Sequence, residues 1–233
     1  MTKITERGMI FNGEMVRAIL DGRKTQTRRI MKPQPTLDDF VCPYDGPRGG
    51  HIWPSKNHQY ALHVERMLQN GDGGWEGLAS DACHFGGIGD RIWVRETWAE
   101  AGAGAPDLQL YRANYPAHVP THYENVPPAE DVRWTPSIHM PRWASRITLE
   151  ITGVRVEQLK SISEDEARSE GVARLRECFW KHYQPGWTQH QLSARGAFAT
   201  LWDSIYGSGE WDRNPWVWVI EFKRIEGALH ATD

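Results

Sequence analysis

The chain of 233 residues has little cysteine: Cys42, Cys83 and Cys178 are three in number and widely spaced. An odd, scattered set excludes a disulfide framework. Long apolar runs are missing as well. The longest, Trp216 to Ile220, is far too short to span a bilayer, and Met1 to Arg7 carries no apolar stretch of the secretory kind. A cytoplasmic protein without a membrane partner is the expectation. Internal repeats, low-complexity tracts, a Gly-rich phosphate loop, a nucleophile elbow and an H-E-x-x-H pair are all lacking. Cys42 and Cys83 lie near His51, His58, His63 and His84, donors enough for zinc. No C-x-x-C or H-x-x-x-H pair accompanies them, so no metal and no cofactor is expected.

Against these absences stand 39% hydrophobic and 24% charged residues, the balance of a soluble domain with a real core. Fourteen prolines and 22 glycines point to long loops on a compact frame. Twelve tryptophans are the anomaly; most serve as core or loop anchors, and some have a face that stacks on a base. Charge is uneven. The whole chain is −3, yet residues 1–32 hold eight Lys or Arg against three Asp or Glu, a local +5. Arg23, Lys24, Thr25, Thr27, Arg28 and Arg29 crowd into seven residues after Gly22, a set suited to an anionic, hydrogen-bonding ligand such as a nucleotide. The plainer alternative is a solvated charged face. Net acidity disfavours coating of duplex nucleic acid and fits a discrete pocket.

Periodicity gives one α+β domain. Asn12 caps a helix over 13–21 with Met15, Val16, Ile19 and Leu20 on one face, and Gly22 ends it at C′. Thr25 to Ile30 reads as a strand, residues 32–88 as irregular apart from a short helix near 60–68, and Asp90 to Trp98 as a strand. A strand is expected at 108–113, and a long one from Arg146 to Leu159 with its register shifted at Gly153. Ser163 and Glu166 form a capping box, and Gly171 terminates that helix. Phe198, Leu201, Trp202 and Ile205 follow helical spacing. Trp216 to Ile225, apolar on both faces, reads as a central strand.

Gly22-Arg23-Lys24-Thr25-Gln26-Thr27-Arg28-Arg29 resembles the Gly-x-Lys-x-x-Glu-x-Arg signature of the ASCH domain family. Gly22, Lys24 and Arg29 fit, and Thr27 stands at the glutamate position. Residues 89–98, 136–147 and 214–222 add similarity to the larger ASCH proteins of phages and prophages. The resemblance covers about half of the chain: 8–32, 86–98, 136–173 and 197–225. It implies a PUA-like small β-barrel with flanking helices and long loop insertions. The core would be 8–32, 86–98, 143–173 and 197–225, with insertions at 33–85, 101–142 and 174–196. It also implies RNA or modified-nucleotide recognition. A small bacterial member hydrolyses N4-acetylcytidine with a Lys-x-x-Thr pair and a glutamate at a helix end. By that similarity Lys24, Thr27 and Glu170 are the candidate catalytic residues.

The chemistry is coherent. A threonine hydroxyl attacks an amide only as its proton is removed, and a lysine removes it only with a lowered pKa, which burial beside arginines provides. Glu170 would protonate the leaving N4 or hold the cytosine edge. It sits where the helix dipole disfavours an anion by about 0.3–1 kcal/mol, so it needs a partner or a task. Lys24 and Thr27 are three residues apart and face opposite ways in a regular strand, so convergence requires a turn or bulge. Arg23, Thr25, Arg28, Arg29, Glu96, Arg142 and Trp143 are candidate substrate contacts, with Glu96 expected to pair with an arginine of the Lys24 cluster. Arg146 joins Arg142 as a phosphate holder, Tyr111 is a second stacking ring, and His139 reads as a loop histidine. Four functions compete. They are an amidohydrolase on N4-acylated cytidine, a non-catalytic reader of RNA or a modified base, a ribonuclease of the same fold, and a partner-binding protein acting through the insertions.

Overall fold

The computed structural model describes residues 4–39, 41–42, 46–47, 49–55, 61–68, 78–176 and 178–225. Its centre is a five-stranded sheet of β1 (Glu6–Ile10), β2 (Gln26–Ile30), β3 (Arg91–Arg95), β4 (Thr148–Gln158) and β5 (Trp216–Ile225), in the order β1-β3-β4-β5-β2. β1 runs parallel to β3; every other pairing in this sheet is antiparallel. β5 is an interior strand, as its two apolar faces lead one to expect, paired with β4 along its length and with β2 from Val217 to Glu221. Between Ile151 and Gly153 the β4–β5 register shifts, at the glycine where a bulge is expected. Arg29 Nη2 donates to the Ile10 carbonyl at 2.7 Å, which ties the two edge strands together at one point.

Among the described residues, three helices longer than four residues accompany the sheet: α1 (Gly13–Leu20), α2 (Glu164–Ser169) and α3 (Ala194–Tyr206). The Asn12 side chain accepts from the Met15 amide, and α2 carries both halves of the Ser163–Glu166 capping box. α3 begins with its Ala194 and Arg195 amides on the Glu164 carboxylate, so the start of one helix holds the start of the other. Strand alternation sorts the sheet into two faces. Val154, Val156, Trp218, Ile220 and Phe222 lie on one, buried with Phe11, Ile92 and Val94. Phe11 meets Phe222 edge-on at 6.3 Å and Trp53 meets Trp218 at 5.4 Å. Each fully buried side chain of this size contributes about 1.5–3 kcal/mol. The other face carries Arg155, Glu157, Glu221, Gln26 and Arg28, an ionic layer under α2.

Two regions differ from the periodicity. The expected strand 90–98 stops at Arg95, and Trp98–Glu100 forms a separate hairpin with Gln109–Tyr111. Glu96 causes the break: it turns inward, its amide on Met140 Sδ at 3.3 Å. Residues 32–88, expected to be irregular apart from one short helix, contain a three-stranded sheet of Thr36–Leu37, His51–Pro54 and Ala61–His63. The helix expected at 60–68 shrinks to Val64–Met67, and Tyr60 lies outside the described residues. His58 and the side chain of Cys42 lie outside them as well. No helix among the described residues is long and apolar enough to cross a membrane.

Candidate functional site

The basic motif follows α1 through a left-handed turn. Gly22 has φ +72, and the Arg23 and Lys24 amides both reach the Ala18 carbonyl, at 2.9 and 3.0 Å. A second glycine completes the junction. Gly171, at φ +85 after α2, would place a Cβ 2.7 Å from the Ala18 Cβ and 2.8 Å from the Lys24 Cβ. Only glycine fits there, in both conformation and space. The end of α2 therefore docks on the start of β2: the Thr25 amide bonds to Ser169 O at 2.9 Å, and Lys24 and Glu170 form an isolated bridge.

This docking brings together two of the three candidate catalytic residues. Lys24 and Glu170 are each 2% exposed, with Nζ 2.8 Å from Oε2. Lys24 Nζ also donates to Glu170 O at 2.9 Å and Gln26 O at 2.8 Å, so all three ammonium donors are used. Glu170 Oε1 accepts from Arg28 Nη1 at 3.2 Å. Arg28 extends the cluster to Glu157 at 3.1 Å and Glu166 at 3.2 Å, and Arg155 bridges Glu157, Glu166 and Glu221. Burial pulls the Lys24 pKa below its ordinary value; Glu170 opposes this, while Arg29 and Arg28 add to it.

Thr27 is placed differently. It is 1% exposed and lies between Gln26 and Arg28 in β2, with Ile220 as its cross-strand partner. Gln26 and Arg28 both reach α2, so alternation sets Thr27 on the opposite, apolar face. The turn at Gly22 is complete before β2 begins, and the described β2–β5 register carries no bulge that would rotate Thr27 back.

The remaining predicted contacts divide. Thr25 is exposed and engaged through its backbone, and Arg23 bonds Gly171 O at 2.9 Å and Asp21 at 3.0 Å. Arg29 sits over the Phe11 ring at 5.2 Å. Glu96 corrects the sequence expectation: it pairs with Arg146, not with an arginine of the Lys24 cluster. The pair is bidentate, at 2.9 and 3.0 Å. Arg146 also reaches Asn114 at 2.9 Å and covers the Tyr111 ring at 4.0 Å. Burial raises the Glu96 pKa, with Arg146 opposing, and burial pushes the Tyr111 hydroxyl up to about 12. Arg142 holds Glu6 at 3.0 Å, while Trp143 is 50% exposed and meets Trp98 edge-on.

A feature invisible to spacing arguments sits beside Glu170. Arg28, Arg29 and Glu170 line a small cavity of about 10 Å³ with Met15 and the α3 side chains Phe198, Trp202 and Tyr206. Among the residues lining it, Arg28 Nε, Arg29 Nε and Trp202 Nε1 are buried without a hydrogen-bond partner. Three unsatisfied donors thus belong to residues that line a space with room for about one water. A larger cavity, about 720 Å³, lies elsewhere, among Arg7, Lys32, Trp53, Ile88 and Asp90, and holds none of the predicted site residues. Comparison with protein-family models, curated proteins and solved structures gives no match.

Proposed function

We propose that the chain is a nucleotide-directed protein of the ASCH type, built on a PUA-like barrel, and that the Lys24–Glu170–Arg28 cluster is where it engages the base. One observation carries the reading: three residues that line the cavity beside Glu170 keep a buried donor unsatisfied, at Arg28 Nε, Arg29 Nε and Trp202 Nε1. An acceptor-rich ring such as a pyrimidine, or an acyl oxygen, answers that surplus. Entry requires Trp202 and Tyr206 of α3 to move aside. In the hydrolytic form the carbonyl carbon of an N4-acyl amide is attacked, the C–N4 bond breaks, and N4 gains a proton. Lys24 first passes a proton to Glu170 across their 2.8 Å contact; the neutral amine then takes the nucleophile's proton, Arg28 faces the oxyanion, and the protonated Glu170 supplies N4 its proton, with water providing the new oxygen of the released acetate. Thr27 as nucleophile has the least support of the three, because strand alternation turns it away from Lys24.

Acetate release from N4-acetylcytidine tests this reading. Lys24→Ala and Glu170→Gln are expected to abolish it, and unimpaired release in Lys24→Ala would remove the mechanism. Thr27→Ala abolishes release if its hydroxyl attacks, and only weakens it if water attacks in its place. The second reading is a non-catalytic reader of a modified base or RNA, favoured by the small size of the cavity and the fully engaged ammonium. It predicts ligand binding by the wild-type chain without acetate release, at an affinity that Thr27→Ala leaves unchanged.

A further inference from the structure

The insertion of residues 101–142 borders a cavity that shares no residue with the Lys24 cluster. It measures about 420 Å³, within the range that takes a small organic molecule. Much of its wall is apolar: Ala105 and Leu110 are buried there, and Val119 joins them. Tyr115 and Tyr123 add two aromatic rings. The Tyr115 hydroxyl is already spent, donating to the Pro127 carbonyl, so this residue has its ring to offer. Trp134 meets that ring edge-on at 5.4 Å, and His122 lies 4.3 Å from the Tyr123 ring. Main-chain bonds shape the surrounding loop, from the Ala101 amide to Leu108 O at 3.0 Å and from the Tyr123 amide to Pro120 O at 3.1 Å. Charge singles out one class of ligand. Glu124 is the one charged residue on the wall; it is exposed and makes no hydrogen bond or ion pair with the described residues. Residues 101–142 contain no lysine, and none of their three arginines, Arg112, Arg133 and Arg142, lines the cavity.

We propose that this cavity binds a small organic ammonium ion. Aromatic faces attract a cation through the ring quadrupole, and a carboxylate without a partner attracts it through its charge. The tyrosine rings and Glu124 supply both, while Leu110 and Val119 take up the apolar body of the ligand. An anion meets Glu124 with no cation on the wall to offset the repulsion, and a neutral molecule leaves the carboxylate unused. The inference goes beyond the nucleotide reading and does not depend on it.

Two probes with one aromatic body and opposite charge test it: tryptamine and indole-3-acetate, titrated by calorimetry into the full chain at about pH 8, where an ordinary histidine is neutral. Tryptamine is expected to bind with a Kd of about 1 mM or lower, and indole-3-acetate at least about ten-fold more weakly. Glu124→Gln should raise the tryptamine Kd about three- to five-fold. Tyr123→Leu should raise it by about the same factor. Glu124→Lys should reverse the order of the two probes. Residue 124 is exposed, so these charge variants fold, and an unchanged Tm verifies it. No tryptamine binding by the wild-type chain overturns the proposal. So does equal affinity for the two probes, or tryptamine binding that Glu124→Gln and Tyr123→Leu both leave unchanged. Acetate release from N4-acetylcytidine is indifferent to all three variants, so the fate of the nucleotide reading is decided separately.

Discussion

Among the described residues two carboxylates are buried, and they differ in what remains after pairing. Glu96 and Glu170 are equally secluded, each 2% exposed, and each faces an arginine. Glu96 gives both oxygens to Arg146, whose other contacts are Asn114 and the Tyr111 ring. No atom of Glu96 or Arg146 is buried without a partner, although Arg95 Nε and Trp98 Nε1, from residues close to Glu96 in the chain, are. Glu170 divides its oxygens between Lys24 and Arg28, and three residues lining the cavity beside it keep a donor unsatisfied. The Glu96 pair is finished as it stands, whereas the Glu170 cluster is short of acceptors. A buried carboxylate alone marks neither structure nor function; the balance of donors beside it does.

The largest effect expected breaks the closed pair. Glu96→Ala leaves the half-buried Arg146 without its carboxylate, and should lower unfolding free energy by at most about 3–5 kcal/mol in urea titrations. Nucleotide affinity per folded molecule should stay unchanged. If Glu96→Ala is benign while Glu170→Ala unfolds the chain, the assignment of the two pairs is reversed. Gly171→Ala comes next. Its Cβ meets Ala18 and Lys24 below 3 Å and its φ is +85, so about 1–3 kcal/mol of destabilisation is expected, with loss of whatever the Lys24 cluster does. A thermally neutral Gly171→Ala would mean that the α2–β2 junction is looser than its contacts imply.

The smallest effect is a pH slope. Glu166 is partly exposed; burial raises its pKa, but the Ser163 amide and Arg28 outweigh that and hold it below the usual glutamate value. On acidification the unfolded chain takes up this proton first, so the stabilisation is present above about pH 4.5 and lost as pH falls through the folded value. Melts from pH 7 to 3 should show a shallower decline in Glu166→Gln than in the wild type. Equal slopes would place the acid sensitivity elsewhere, Asp90 being the next group held low, by the Thr5 and Gly87 amides and Arg7 against the upward pull of burial.

What was legible in the sequence was local. Asn12, Gly22, the Ser163–Glu166 box, Gly171 and the shift at Gly153 each act within a few residues, and each stands where its chemistry put it. The 216–225 strand was legible because burial on both faces erases alternation. Pairings between distant segments were not. Glu96 meets Arg146 across 50 positions because β3 and β4 are neighbours in the sheet, and periodicity does not state strand order. The motif listed Lys24 and Thr27 together although strand geometry separates their side chains. The unsatisfied donors come from three residues on β2 and α3, and nothing in their spacing predicts one shared void.

The junction at Lys24 is written almost wholly in main-chain atoms. The amides of residues 23, 24 and 25 fall on the carbonyls of Ala18 and Ser169, and two left-handed glycines let the helix ends close around them. Side chains nearby can therefore drift through evolution while the ammonium keeps its address. Descendants of such a chain would retain a few glycines and one lysine as their only visible inheritance.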